Sequence, residues 1–221
     1  MTGMTGTRWN EALRADLVDA LRAVPPDAPT LCEGWQACHL AAHVVLRERS
    51  VRVGAGLAVP PLAGVAERAI DELAGTATTP EGYAALVDRV ADAPGRWHPM
   101  TWAGDLANLV EFYVHGEDVR RGAGPVPPRE LPGGVVDGLW NQARQLGRAR
   151  LRTAGCGVVL VRPDGPRARL RSPRDGAGSV VVRGEVGELV LWLAGRGAAA
   201  DVVAEGAEPD LAALARVAPF A

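Results

Sequence analysis

The chain has 221 residues, 48% of them hydrophobic and 23% charged, which provides ample apolar material for a core and excludes disorder for the bulk of it. Its 24 basic residues, all Arg, stand against 26 acidic ones for a net charge of −2, giving no global electrostatic reason to expect nucleic acid or an anionic membrane as partner. Cys32, Cys38 and Cys156 have no CxxC spacing and read as reduced thiols of a cytoplasmic protein; the N-terminus has no secretory signal and no apolar run nears the roughly 20 residues of a membrane span.

In chain order, Thr7 is placed to cap a helix running to about residue 23, with Leu13, Leu17 and Leu21 on one face. Pro25, Pro26 and Pro29 end it. A second helix is expected over 36–53, a break over 54–61, and an amphipathic third helix over 62–73. Thr79 followed by Pro80 is a strong start signal for a fourth helix, to about residue 93. Residues 95–102 read as a loop holding His98, and a central helix follows over 105–121. Beyond a Gly/Pro linker at 122–128, a long helix spans 134–153. At Gly155 the periodicity changes. Strands are expected over 158–162 and 167–171, joined by Pro163-Asp164-Gly165, then over 179–183. A helix over 185–193, a short strand over 201–205 and a last helix over 209–217 complete the chain. Residues 1–153 therefore read as an all-helical domain and 154–221 as a small α+β domain.

The central helix carries Glu111 and His115 four residues apart, one above the other on a single face. His39 and His43 have the same spacing on the second helix. Two such helices facing each other would offer two imidazole nitrogens and one carboxylate oxygen to a divalent metal, leaving a coordination position open as catalytic zinc sites do. His43 and His115 fall mid-helix among small or apolar residues, where an unpaired polar group is costly. The same spacing also serves simple helix pairs, so spacing alone leaves both readings open. His39 is then a further ligand, a group behind His43, or a residue at the pocket mouth. Asp118 either holds the other nitrogen of His115 or pairs with Arg120 or Arg121. Arg47 either binds an anionic ligand group or forms a surface ion pair near Glu48.

The stretch Leu31-Cys32-Glu33-Gly34-Trp35 leading into His39-Leu40-Ala41-Ala42-His43, with Glu111-Phe112-Tyr113-Val114-His115 downstream, resembles the DinB/YfiT-like metalloenzyme superfamily. Within it the sequence is similar to the actinobacterial branch related to mycothiol-dependent maleylpyruvate isomerase. The resemblance implies a DinB-like four-helix bundle followed by a small, sterol-carrier-like α+β domain. It implies a divalent metal, zinc in the first instance, on His43, Glu111 and His115, and mycothiol as thiol cosubstrate. The metal would lower the pKa of that thiol, and the thiolate would attack a small electrophile in an isomerisation or S-transfer. The segment Gly116–Arg121 resembles a subgroup without an assigned reaction. Either a monomer or a homodimer is compatible with such a family.

A metal- or small-molecule-binding protein without turnover is the alternative, supported by the carrier-like C-terminal region. Nucleic-acid binding is prompted by Arg167, Arg169 and Arg171, which alternate along one strand face. That strand lacks stacking aromatics, so a solvated face accounts for it better. Cys38 adjoins His39, but helix neighbours point about 100° apart and do not form a working nucleophile–base pair. Cys156 reads as a small buried residue.

Overall fold

The computed structural model describes residues 3–50, 53, 63–93, 105–174 and 176–220. The break expected at 54–61 and the loop expected at 95–102, His98 included, lie outside the described residues. Among the described residues are eight α-helices and one four-stranded sheet, the mixture of α and α+β expected from the sequence. The chain divides into two compact units, Met1–Val126 and Pro127–Ala221.

The first unit contains α1 (Gly3–Arg22), α2 (Ala37–Arg49), α3 (Ala63–Gly75), α4 (Pro80–Ala91) and α5 (Asp105–Arg120). Helix α1 starts at Gly3 and runs through Thr7, so the cap expected there is not used. Leu13, Leu17 and Leu21 are buried as their spacing requires, on the side of α1 that packs along α5 and α4. Helix α4 does begin as the sequence predicts: Thr79 Oγ1 accepts the Gly82 N–H at 3.1 Å, with Pro80 in the first turn. Helix α2 packs against α3 and α4. Its Ala37, Ala41 and Ala42 are buried, and such small side chains let neighbouring backbones approach.

Helix α5 is buried on every side from Phe112 to Val119, yet it is not apolar on every side. His115, Glu117 and Asp118 are all buried, and a polar group out of water must find partners. Glu117 finds Arg120 at 2.5 Å on its own helix and Arg121 at 2.7 Å just past the helix end. A second buried pair ties this unit together. Arg14 on α1 bonds Glu48 on α2, donates to the Val90 carbonyl on α4 at 2.8 Å, and lies 4.5 Å over the Phe112 ring on α5.

The second unit opens with α6 (Gly133–Arg150), extended by a 3-10 turn over Leu151–Thr153. The division between the units falls at 126/127 rather than at residue 153. The physical reason is that α6 buries Leu139, Trp140 and Ala143 in a unit where it packs on α7 (Val186–Leu193) and on a strand. The sheet has β1 (Gly157–Val161), β2 (Arg167–Arg171), β3 (Ser179–Arg183) and β4 (Val203–Glu205) in the order β2-β1-β3-β4. The β1–β2 hairpin is antiparallel, β1–β3 parallel and β3–β4 antiparallel. Val158, Leu160, Val180 and Val182 of the central strands are buried. Arg167 and Arg169 alternate with buried Ala168 and Leu170, which makes them a solvated edge face. Helix α8 (Glu208–Ala215) follows β4.

Candidate metal centre

The site is built from the middle turns of α2 and α5. His43 Nε2 lies 2.9 Å from Glu111 Oε1, and His115 Nε2 lies 3.2 Å from the same oxygen. The two imidazole rings meet edge to face with centroids 4.9 Å apart. The three ligand-type atoms all lie within 4.8 Å of one another. Donors at about 2.0–2.1 Å from a tetrahedral zinc ion stand roughly 3.3 Å apart, close to the two nitrogen-to-oxygen separations seen here. Both histidines are buried while Glu111 keeps partial exposure. Two nitrogens and one carboxylate oxygen form a donor set suited to a divalent metal with one position left for a ligand.

The electrostatics follow from this packing. Burial alone would raise the Glu111 carboxyl. Hydrogen bonds from His115 and His43, with the charges of His115 and Arg47, more than offset it and hold the group well below the usual carboxylate value. Burial lowers the His43 imidazole, and the bond to Glu111 opposes this only in part, so His43 is neutral at pH 7. Burial would lower His115 too, but hydrogen bonds to Asp118, Cys32 and Glu111 outweigh it and hold His115 well above the usual imidazole value.

Around this set, Asp118 Oδ2 accepts from His115 Nδ1 at 2.9 Å, the second-nitrogen role rather than a pair with Arg120 or Arg121. Those two arginines are taken by Glu117. Arg47 turns toward the site and not toward Glu48: its Nε lies 3.4 Å from Glu111 Oε1 and its Nη1 donates to Asn108 Oδ1 at 2.9 Å. His39 is a different matter. Its Nδ1 accepts the Gln36 N–H at 3.4 Å as part of a capping box, and its Nε2 lies 4.0 Å from the exposed Asp71. It belongs to the start of α2 and to no ligand cluster among the described residues. That same bend toward the cap brings His39 Nδ1 to 3.5 Å from Cys38 Sγ, closer than ideal helix geometry suggests. Burial pushes the Cys38 thiol up, which disfavours its nucleophilic thiolate form.

Three residues not singled out from the sequence as parts of the site complete it. Asn108 fixes Arg47. The Trp35 ring lies 5.1 Å from that of His43. Cys32 Sγ lies 3.2 Å from Asp118 Oδ2. Cys32 and Trp35 come from the loop before α2, whose sequence motif was visible but whose reach was not. In the second unit, a groove of about 380 Å³ runs past Arg162, Arg183 and Glu188. Three of its charges are already engaged: Arg162 with Asp164, Arg183 with Glu205, and Glu188 with the Asp201 N–H.

No protein-family profile matches the sequence, and no curated protein matches it. Among solved structures, the mycothiol-dependent maleylpyruvate isomerase superimposes with a TM-score of 0.60 at 19% identity, over 90% of this chain and 91% of that one. The chain has the fold of that enzyme. A histidine-to-alanine mutant of the same isomerase matches with a TM-score of 0.58 at 18% identity, over the same shares of both chains. At the level of the fold, the likeness bears out the resemblance carried by the motifs at Leu31–His43 and Glu111–His115. No helix among the described residues is long and apolar enough to cross a membrane.

Proposed function

We propose that this protein is a metal- and thiol-dependent enzyme in which His43, Glu111 and His115 hold a divalent ion, zinc in the first instance, and mycothiol is the thiol cosubstrate. The helical unit is then a DinB-like four-helix bundle with α3 added, and the second unit is a sterol-carrier-like domain. The observation that carries the reading is the convergence of His43 Nε2, His115 Nε2 and Glu111 Oε1 on one point. The fold shared with a mycothiol-dependent isomerase supports the thiol.

A bound divalent ion lowers the pKa of a coordinating thiol, so the nucleophilic thiolate is present at neutral pH. The chain's own groups prepare for it. Asp118 fixes the tautomer of His115 by holding Nδ1–H, which leaves Nε2 as the donor. His43 is neutral through burial and gives its Nε2–H to Glu111 Oε1, so Nε2 would serve as a metal ligand once that proton moves to Nδ1. Arg47, held by Asn108, keeps the Glu111 carboxylate ionised and aimed. The reaction class that fits is thiolate addition to an electron-poor double bond with later loss of the thiolate, which is isomerisation. Displacement of a leaving group by the thiolate, which is S-transfer, uses the same residues.

Cobalt-substituted protein titrated with mycothiol tests this. A sulfur-to-cobalt charge-transfer band that saturates with mycothiol is expected. Cobalt uptake without such a band would leave a metal-binding protein and remove the thiol from the mechanism.

A further inference from the structure

The loop from Leu31 to Trp35 is held to α5 by its backbone. The Leu31 N–H donates to the Asp118 carbonyl at 3.0 Å, the Trp35 N–H to the Cys32 carbonyl at 2.9 Å, and Thr30 Oγ1 to the Trp35 carbonyl at 2.7 Å. Gly34 takes a positive φ of 77°, which the turn requires and L side chains rarely adopt. Just past α5, a Cβ on Gly122 would fall 1.9 Å from the Pro29 carbonyl oxygen, so the chain can pass there only as glycine. A loop fixed this tightly places its side chains reproducibly.

Two of those side chains face the histidine ligands. Trp35 covers the His43 ring, and Cys32 Sγ reaches Asp118 Oδ2, the same oxygen that accepts from His115 Nδ1. Asp118 is fully buried, so it cannot turn to water to replace a lost donor. Its carboxylate can hold the His115 ring in one orientation only while its own orientation is held.

We infer that Cys32 is a positioning residue of the metal centre: its thiol donates to Asp118 and thereby fixes the carboxylate that orients His115. In this role Cys32 acts through Asp118 and not as a ligand. The hydroxyl of serine, a better donor of similar size, substitutes for the thiol in this role, whereas alanine does not. The inference rests on the metal reading for its affinity readout, and an independent readout comes from the metal-free protein.

The test uses the full chain as wild type, Cys32→Ala, Cys32→Ser, Asp118→Asn and the Cys32→Ala/Asp118→Asn double variant. Zinc affinity is read by competition with a chromophoric chelator, and the His115 Nδ1–H resonance by NMR of the metal-free proteins. Cys32→Ala is expected to weaken zinc about tenfold, the low end for loss of an outer partner, and to shift the Nδ1–H resonance. Cys32→Ser is expected to restore both, and Cys32→Ala to add nothing in the Asp118→Asn background. An equal effect of Cys32→Ala in both backgrounds, or an unchanged resonance, would overturn the inference. So would failure of serine to rescue, since sulfur would then be acting as a ligand. If wild type binds no zinc, the metal reading fails by itself, and the resonance with its serine rescue still decides the role of Cys32.

Discussion

Glu111 Oε1 and His43 Nε2 stand 2.9 Å apart although 68 residues separate them in sequence. The i,i+4 spacing put Glu111 beside His115; only the fold could bring His43 to the same oxygen. Because each of these groups shifts the proton affinity of the others, the cluster has a definite pH signature.

In the metal-free protein His115 has a folded pKa raised well above 6.5, so its contribution to stability is complete below 6.5 and is lost as pH rises through the raised value. Glu111 has a folded pKa well below 4.5, so its contribution is complete above 4.5 and is lost as pH falls through the depressed value. His43, with its pKa lowered, adds to the loss on the acid side, because the unfolded chain takes up that proton first. Metal on His115 Nε2 must displace the proton that Glu111 shares. The logarithm of metal affinity is therefore expected to rise by about one per pH unit between about pH 6 and 8. Competition titrations across that range measure it; a flat profile would mean that His115 sheds no proton on binding.

His39→Ala is expected to leave metal affinity unchanged and to cost about 1 kcal/mol of stability, the usual loss of a helix cap. Urea unfolding and a chelator competition on the same preparation separate the two effects. Loss of metal affinity would make His39 a ligand despite its bond to the Gln36 N–H.

The contrast between His39 and Asp118 shows what the sequence could and could not convey. Periodicity located the helices, the Thr79–Pro80 start and the hairpin, since each depends on neighbours in sequence. It also placed Glu111 with His115. It could not tell His39, which closes the first turn of α2, from His43 one turn on, because both share the helical spacing. Asp118 had His115 or Arg120 and Arg121 within reach, and Glu117 took the two arginines; Arg47 had an anionic ligand or Glu48 open to it, and Arg14 took Glu48. Asn108 gave no signal, and Cys32 none beyond its place in the Leu31–Trp35 motif, since a helix amide and a loop thiol acquire their roles only from contacts 61 and 86 residues away in sequence. The extent of the second unit was hidden for a similar reason: α6 is helical like everything before it, and only its packing assigns it to the sheet.

Arg14 and Glu48 make a separate prediction about stability. Glu48→Ala leaves the Arg14 guanidinium inside the helical unit with the Val90 carbonyl and the Phe112 face but no carboxylate partner among the described residues, and is expected to cost about 3 kcal/mol. Replacing the pair by Arg14→Met with Glu48→Leu should recover most of that loss, because an apolar pair leaves no charge uncompensated. Denaturant midpoints of the three proteins measure it. A Glu48→Ala protein as stable as wild type would contradict the burial of this pair.

The most direct test of the account is the metal content, by elemental analysis, of protein purified without a polyhistidine tag, for wild type and for Glu111→Ala. About one equivalent of zinc or another divalent ion in wild type, lost in the variant, is the predicted result for a three-ligand site. Wild-type protein that carries no metal and takes none up on soaking would contradict the account, leaving His43, Glu111 and His115 as buried groups that satisfy one another.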